Sequence, residues 1–543
     1  MLQIIKCKII LTCLAFIAVF TGSAQTDSMA TFCGHKVILD EHQKLLPREV
    51  PSANPYDYFL RLRWGFIKNH APFSPGPAPR SQYPQYYFYC AFIDSGGILK
   101  PDGWMNDVGE KIPNWFESAR LYYAYTGDIQ PLTLTKGMVD YSLKHGITPS
   151  TYSWPGFPQT ASDAGATEFR GFTTAKRFSA DDVQVDHAGD IGATYYRMYL
   201  FYGDIKYKTA AINIANVLAK KIRTGNPTQS PWPYVVNMKS GKIVSDYGTN
   251  WFGCLRLFDM LIAANAGNVN TYRNTRKKVQ DWVLQYPVKN GLWVDGHTDN
   301  FTEGTRNLSN MSASNAGLYI SDHPDFDPGW KKTLPGLIKW TEENFIDKSA
   351  PGEPSSMWGA NIVSEQVDFM PKMDYQTARY AAQCAWWYAL SGNEAYKEKA
   401  YRSLNWVTYC NDTIGKAFES PVSKNVNSWW SDSYGEGPRM FYYAFAAIPE
   451  WAPAKEDHIL YSAGVLKDIS YSVKKVKYTA TQKAGTDHLR LSFKPSAITI
   501  NGIKIYLRPD KNKEGYTLKD MGDGDFSVSI KRMQAGKVIV SGL

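Results

Sequence analysis

The sequence predicts a mainly α-helical protein, a closed ring of helix pairs followed by a small antiparallel β-domain. Three observations predict this fold class. Helices rich in small and aromatic residues end repeatedly on Gly followed by Asp or Asn. The loops between those helices differ in length and are rich in Trp, Gly and Asp. After residue 457, the pattern changes to short runs that alternate apolar and polar side chains.

The recurring helix end occurs in four segments, SARLYYAYTGD, ATYYRMYLFYGD, LFDMLIAANAGN and CAWWYALSGNEAY. Their glycines are at positions 127, 203, 267 and 392. A glycine fits a left-handed helix C-cap, and the polar residue after it can begin the next turn and helix. Intervals of roughly 60–75 residues suit two helices with their loops. The last interval is about two such units, so residues 54–453 have room for six helix pairs. Long variable loops favour a closed ring over an open solenoid.

The two ends of the chain have different patterns. The segments HLRLSF, ITINGIKIYL, DFSVSIK and GKVIVSGL alternate like strands, and Asn501-Gly502 is a turn signal, so residues 454–543 are predicted to form the β-domain. Residues 25–53 are loop-like and are expected to wrap around the ring as an N-terminal extension.

Residues 1–24 have the pattern of a secretory signal peptide. Lys6 and Lys8 precede the apolar run IILTCLAFIAVF, and the small-residue segment TGSAQ follows it, so cleavage after Ala24 is expected. No later segment reaches the roughly 20 apolar residues that a spanning helix needs. The pattern therefore predicts a periplasmic or secreted protein without a membrane span.

Composition and motifs narrow the function. The formal charge of +9 falls to +7 once the two leader lysines are removed, and this modest basic balance suits an anionic partner. The chain has 17 Trp and 35 Tyr among 543 residues, which favours a glycan cleft because aromatic rings stack on sugar faces. Nucleotide-binding loops, zinc signatures, calcium loops and nucleophile elbows are absent from the sequence, so neither a cofactor nor a metal is predicted. A glycan substrate, no nucleic-acid partner and a monomer are expected.

The densest polar cluster is SADDVQVDHAGDIGATYYRMY, which precedes and enters a repeat helix. Its His187, flanked by carboxylates and tyrosines, has the elements of a general base with an orienting partner. Asp190 is a candidate catalytic carboxylate, although an acidic side chain there can also simply complement the helix dipole. Tyr196 is a candidate proton donor and Arg197 a substrate-binding residue.

Two further clusters lie later in the chain. SMWGANIVSEQVDFMPKMDYQTARY contributes Glu365 as a candidate catalytic residue, and Glu365 and Asp368 would share one face if the segment were helical. Pro371 argues against a long helix there, which leaves a loop open. NSWWSDSYGEGPRMFYYAF resembles the mouth of a sugar cleft, with Tyr434 and Glu436 as candidate catalytic residues. Candidate substrate-binding residues from these and smaller clusters are Trp104, Trp251, His297, Trp358, Asn361, Trp429, Trp430 and Arg439.

On these features, residues 54–450 resemble the (α/α) toroid carbohydrate-active enzymes of polysaccharide-degrading bacteria, a group with many polysaccharide lyases and glycoside hydrolases. The resemblance implies an (α/α)6-like helical toroid. It does not select the reaction, because one fold hosts both chemistries.

For a lyase, the resemblance implies β-elimination on a uronate-containing glycan. His187 or His297 would be the base, Tyr195, Tyr196 or Tyr434 the acid, and Arg197, Arg439, Asn361 or Asn427 the group that neutralises the carboxylate. A glycoside hydrolase would instead use two carboxylates that flank the scissile bond, chosen among Asp190, Glu365, Asp368, Asp432 and Glu436. The sequence favours the lyase slightly. A non-catalytic glycan-binding protein is the third alternative.

Overall fold

The computed structural model describes residues 30–171, 178–295, 307–349, 352–367, 369–422, 428–509 and 513–543. Its α-helices are α1 Pro55–Asn69, α2 Val108–Thr126, α3 Gln130–His145, α4 Val185–Tyr202, α5 Ile205–Lys221, α6 Phe252–Ala263, α7 Val269–Gln285, the short α8 Pro287–Asn290, α9 Asn310–Asp322, α10 Trp330–Thr341, α11 Asp374–Ser391, α12 Glu394–Tyr409 and α13 Asp432–Ala447. The predicted signal peptide at residues 1–24 lies outside the described residues. Among the described helices, none is long and apolar enough to cross a membrane.

Six helices form a closed inner ring. α2 contacts α4, and the contacts continue in order through α6, α9, α11 and α13, which returns to α2. Each inner helix packs against an outer neighbour in sequence, namely α3, α5, α7, α10 and α12, while α1 packs on α13. The helical ring that the sequence predicts is therefore present, in the (α/α)6 arrangement.

Glycines at crowded contacts allow the inner helices to approach closely. A Cβ on Gly189 of α4 would lie 2.7 Å from the backbone N of Cys254 on α6. A Cβ on Gly435 of α13 would lie 2.9 Å from the backbone N of Trp115 on α2. Real Cβ atoms do not approach backbone so closely, so these positions require glycine.

The repeated Gly-Asp and Gly-Asn ends mostly behave as the sequence predicts. Gly127, Gly203 and Gly392 are left-handed C-caps with φ of 77°, 76° and 71°. Asp204 then accepts a hydrogen bond from Lys206 N and begins α5. Gly267 differs, because α6 already ends at Ala263 and the glycine lies in the loop after it. The inner helix between α6 and α11, α9, ends at Asp322 with His323 as its C-cap and without a glycine, which explains the double interval in the sequence.

Short strands occupy the loops around the ring: β1 Thr31–Phe32, β2 His35–Lys36, β3 Ala91–Ser95, β4 Ile98–Pro101, β5 Asp182–Gln184, β6 Val235–Asn237, β7 Ile243–Ser245, β8 Ser356–Met357, β9 Ala360–Asn361, β10 Ser364–Gln366, β11 Phe369–Lys372 and β12 Ser428–Trp430. Residues 30–53 pack against α12, where Arg402 donates to the carbonyl of Leu45 at 2.8 Å and pairs with Asp40. The segment around Glu365 is neither a helix nor a plain loop, but the antiparallel hairpin β10–β11.

The C-terminal strands are β13 His458–Ser462, β14 Leu466–Ser472, β15 Lys475–Ala480, β16 Gly485–Leu491, β17 Pro495–Ile500, β18 Ile503–Ile505, β19 Gly515–Asp520, β20 Phe526–Arg532 and β21 Gly536–Gly542. They form two antiparallel sheets, in the orders β13-β16-β20-β19 and β14-β15-β21-β17-β18, here called the C-terminal sheets. Alternate residues of both sheets share one apolar core. β13 contacts α2 and α13, so these sheets pack against the inner ring.

Candidate active site

A polar pocket, here called the front pocket, lies at the N-terminal halves of the inner helices. All six inner helices contribute to it, so the ring itself builds the site. Its lining residues are Gly109, Glu110, Pro113, Asn114, Glu117, His187, Asp190, Arg197, Asn250, Arg256, Met311, Asn315, Leu318, Arg379, Arg439 and Tyr443.

His187 lies in the first turn of α4 and is buried, with 2% of its surface exposed. Its Nδ1 is 3.7 Å from Oδ1 of Asp107, a charge contact that is too long for a hydrogen bond. Burial lowers the pKa of His187, but the carboxylates of Asp186, Asp107 and Glu110 outweigh burial and raise that pKa well above its ordinary value. The surrounding acidic groups therefore favour the protonated form of His187, in which both ring nitrogens can donate hydrogen bonds.

Asp190 follows His187 by one turn on the same helix and faces the same pocket. Burial raises the pKa of Asp190, and the nearby cations Arg256, His187, Arg439 and Arg197 offset only part of that shift. A carboxyl with a raised pKa in a pocket is suited to act as a general acid.

Close packing of α6 fixes the position of the Asp190 carboxyl, because a Cβ on Gly253 would overlap it. We expect Gly253→Ala to displace Asp190 and to lower kcat by roughly 100-fold, since a misplacement of about 1 Å costs that much. The matched control is Gly336→Ala, in a helix position where an added Cβ meets nothing within 4 Å. Activity assays and thermal melts of both variants check this. Equal kcat for Gly253→Ala and the wild type would contradict it.

Glu436 anchors a buried ion cluster beside the front pocket. Arg379 forms an ion pair with it, Arg439 donates to its Oε1 at 2.8 Å, and Asn114 Nδ2 donates to its Oε2 at 3.0 Å. Arg379 also donates to Asn315 Oδ1 at 2.8 Å. The two arginines line the pocket, and Glu436 holds them from behind.

Glu117 forms a second ion cluster at the inner end of the pocket. Arg120 Nε donates to its Oε2 at 2.7 Å, and Arg197 Nη1 lies 3.5 Å from the same oxygen. Burial would raise the pKa of Glu117, but Arg120 and Arg197 hold it at about 2. Glu117 is therefore ionised at any physiological pH and does not serve as a proton donor.

Solved structures of similar fold were found by comparison. A D-mannose isomerase structure superposes with a TM-score of 0.50 at 12% identity, over 74% of this chain and 100% of that chain. The cellobiose 2-epimerase of Spirochaeta thermophila DSM 6192 gives 0.49 at 9% identity, over 67% and 90%. A family 76 glycoside hydrolase from a bovine Bacteroides thetaiotaomicron strain gives 0.46 at 12% identity, over 74% and 78%.

The likeness is one of fold. At sequence identities of 9–12%, a shared fold does not show a shared reaction. No protein-family model matches the chain, and no curated protein matches it.

The structure brings together four of the residues that the sequence singled out. His187, Asp190, Arg197 and Arg439 line the front pocket. Glu436 lies directly behind it through its contacts with the arginines.

The other candidate catalytic residues lie outside the lining of the front pocket. Glu365 is buried on β10, where it accepts hydrogen bonds from Tyr375 Oη at 2.7 Å and Gln376 Nε2 at 3.3 Å. Tyr434 is buried, and its hydroxyl donates to the carbonyl of Gly415 and accepts from Ala417 N. Tyr196 is packed in the helical core. The hydrogen bonds of Glu365 and Tyr434 suit packing, since these polar atoms are used within the protein.

Several candidate substrate-binding residues also lie outside the lining. Trp251 is fully buried and donates from Nε1 to the carbonyl of Gly248 at 2.9 Å. Trp358 is half-buried against Phe32, Asn361 donates to Tyr380 Oη at 2.9 Å, and Trp104 is half-buried. His297 lies outside the described residues. Trp429 and Trp430 are on β12, and their side chains lie outside the described part of the chain.

Sequence reasoning missed the pocket residues Glu110 and Asn114 of α2, Arg256 of α6, and Asn250 just before α6. A signal for part of this set was present. Glu110, Asn114 and Glu117 follow the i, i+4, i+7 spacing of one helix face within an otherwise apolar segment. Buried polar side chains on one face of a core helix indicate an internal polar site.

Proposed function

We propose that the protein is a carbohydrate-processing enzyme that hydrolyses glycosidic bonds in the front pocket, with Asp190 as the general acid. The observation that carries the proposal is the raised pKa of Asp190 within a pocket built from the inner ring. The fold is shared with a D-mannose isomerase, whose name indicates a sugar substrate, and this likeness supports a sugar ligand here.

Hydrolysis needs two carboxyl groups with different tasks. Glu110 lines the same pocket from α2 and is the proposed base. Glu110 takes a proton from water, and the water oxygen bonds to the anomeric carbon. The bond from that carbon to the leaving oxygen breaks, and Asp190 gives its proton to the leaving oxygen. His187, as an imidazolium beside Glu110, donates a hydrogen bond to a sugar oxygen and stabilises the Glu110 carboxylate.

β-Elimination on a uronate is the second candidate, because Arg197 and Arg439 face the pocket and can neutralise a substrate carboxylate. Elimination needs an unprotonated base. The acidic groups around His187 raise the pKa of its imidazole, which makes His187 a poor base for elimination and favours hydrolysis. Export to the periplasm or the medium is part of the proposal and depends on the signal-peptide pattern of residues 1–24.

The experiment is a screen of the purified protein against uronate-containing and neutral oligosaccharides, with parallel assays of reducing ends and ultraviolet absorbance. Hydrolysis gives new reducing ends without new absorbance. New absorbance from an unsaturated uronate would overturn hydrolysis in favour of elimination. Binding of glycans without any cleavage would overturn both in favour of a non-catalytic binding protein.

A further inference from the structure

A second cavity lies behind the front pocket, at the C-terminal halves of the inner helices. This rear chamber has a volume of about 190 Å³, and its far side is lined by turns of the C-terminal sheets at Gly464, Gln482 and Ala484. The two cavities share a wall, here called the waist, that consists of Glu117, Arg197, Arg256 and Tyr443. A group at the waist can thus be reached from the front pocket.

The waist carries more positive than negative charge. Its one carboxylate, Glu117, is bound by Arg120 through two contacts. Arg120 also donates hydrogen bonds to the carbonyls of Ser462 and Gly464, at 2.9 and 3.0 Å. Arg197 has only the 3.5 Å ion pair with Glu117 and, among the described residues, no hydrogen bond. The Glu117 carboxylate thus already contacts two guanidinium groups, those of Arg120 and Arg197, and does not pair with Arg256.

Arg256 has neither an ion pair nor a hydrogen bond among the described residues. Its guanidinium carbon lies 5.7 Å from the centre of the Tyr319 ring. In the front pocket, Arg256 lowers the pKa of Asp190 without a hydrogen bond to it, and the other carboxyl groups of the rear chamber are engaged elsewhere. Asp259 is bound by Arg276 and Tyr319, at 2.5 and 2.6 Å. Asp322 accepts from Tyr461 at 3.1 Å, and burial raises its pKa, which favours the neutral carboxyl.

A guanidinium stays charged in proteins, and a half-buried cation that no carboxylate binds directly is costly. Such a group suits a ligand that brings the missing negative charge. Arg–carboxylate pairs are frequently bidentate, which adds strength and geometric specificity.

The position of the waist relative to Asp190 indicates the size of the ligand. Asp190 and Arg197 are seven residues apart on α4, a rise of about 10 Å along one face. The long arginine side chain leans back towards the helix N-terminus, so roughly one sugar ring fits between the two groups.

We propose that the waist binds the carboxylate of a terminal uronic acid through Arg197 and Arg256, while the glycosidic bond of that sugar lies at Asp190. This inference rests on the proposed function and names its substrate class. Because turns of the C-terminal sheets line the far side of the chamber behind the waist, the proposed site suits the end of a chain better than its middle. The enzyme therefore acts on chain ends that carry a uronate.

Calorimetric titration of the whole protein with free D-glucuronate, D-glucose and inorganic phosphate tests the waist directly. D-glucuronate is expected to bind at least tenfold more tightly than either of the others. Arg256→Gln should weaken D-glucuronate binding by about 10- to 100-fold, the range for a charged hydrogen bond. Arg273→Gln, which changes an exposed arginine of α7, should leave binding unchanged. Equal binding of glucose, or of phosphate, would overturn the uronate assignment.

A thermal melt separates ligand binding from a structural role. Without ligand, Arg256→Gln is expected to be as stable as the wild type or more stable, since it removes an unpaired cation. A marked loss of stability would show that Arg256 serves the fold and would overturn the inference.

The two proposals fail differently. Cleavage of neutral glycosides without any glucuronate binding would overturn the proposed uronate site but agree with the proposed hydrolysis. Tight glucuronate binding, lost in Arg256→Gln, without cleavage of any oligosaccharide would uphold the waist and reject the hydrolase.

Discussion

Asp190→Asn is expected to lower kcat by about 10²- to 10⁴-fold, the usual contribution of a general acid. The amide keeps the shape of the side chain but cannot deliver the proton to the leaving oxygen. Steady-state kinetics on the best substrate from the screen measures the loss. Asp140→Asn is the matched control, because Asp140 is a half-buried carboxylate on the outer helix α3, bound by Lys136 and Tyr207. Wild-type kcat in Asp190→Asn would contradict the role of Asp190.

Asp190→Asn is also expected to be at least as stable as the wild type. Burial raises the folded-state pKa of Asp190 above its unfolded value, so its contribution to stability is lost as pH rises through the interval between the two values. At neutral pH the unfolded chain has released this proton, so the wild type bears the cost of burying an ionisable group, and Asp190→Asn removes that cost. Urea unfolding should show a variant at least as stable as the wild type. Activity that needs the protonated acid should likewise fall as pH rises through the pKa of Asp190.

Glu436→Gln is expected to lower the free energy of unfolding by about 3–5 kcal/mol, because it leaves the buried Arg379 and the half-buried Arg439 without their anion. The matched control is Glu343→Gln, which breaks an exposed ion pair with Lys339. Such a surface pair is worth at most about 1 kcal/mol. Urea unfolding of both variants compares the two effects. An unchanged midpoint for Glu436→Gln would contradict the anchoring role of Glu436.

The helical ring could be predicted from the sequence because its helix ends use local chemistry. Gly203 is the C-cap of α4 and Asp204 is the N-cap of α5, so two adjacent residues mark both helix ends. The alternating pattern after residue 457 likewise predicts strands, because it is the period of a half-buried sheet. The helix α9 was not marked in this way, since no glycine ends it.

The site could be predicted only in part. His187 and Asp190 stand in a dense polar segment that enters α4, and this density marks them in the sequence. Arg256 and Asn250 come from α6 and the residues just before it, and only the closure of the ring brings them to Asp190. Tyr434 is the opposite case, a residue that a dense polar cluster marks wrongly as part of the site. It belongs to a polar and aromatic cluster, yet its hydroxyl is bonded to backbone atoms outside the pocket.

The central claim is that the front pocket is where a sugar reacts. A crystal structure of the Asp190→Asn protein soaked with an uncleaved uronate-terminated oligosaccharide tests it most directly. We expect the scissile oxygen within hydrogen-bond distance of the side chain at position 190, with the uronate carboxylate against Arg197 and Arg256. A sugar bound elsewhere on the protein, with the front pocket empty, would contradict it.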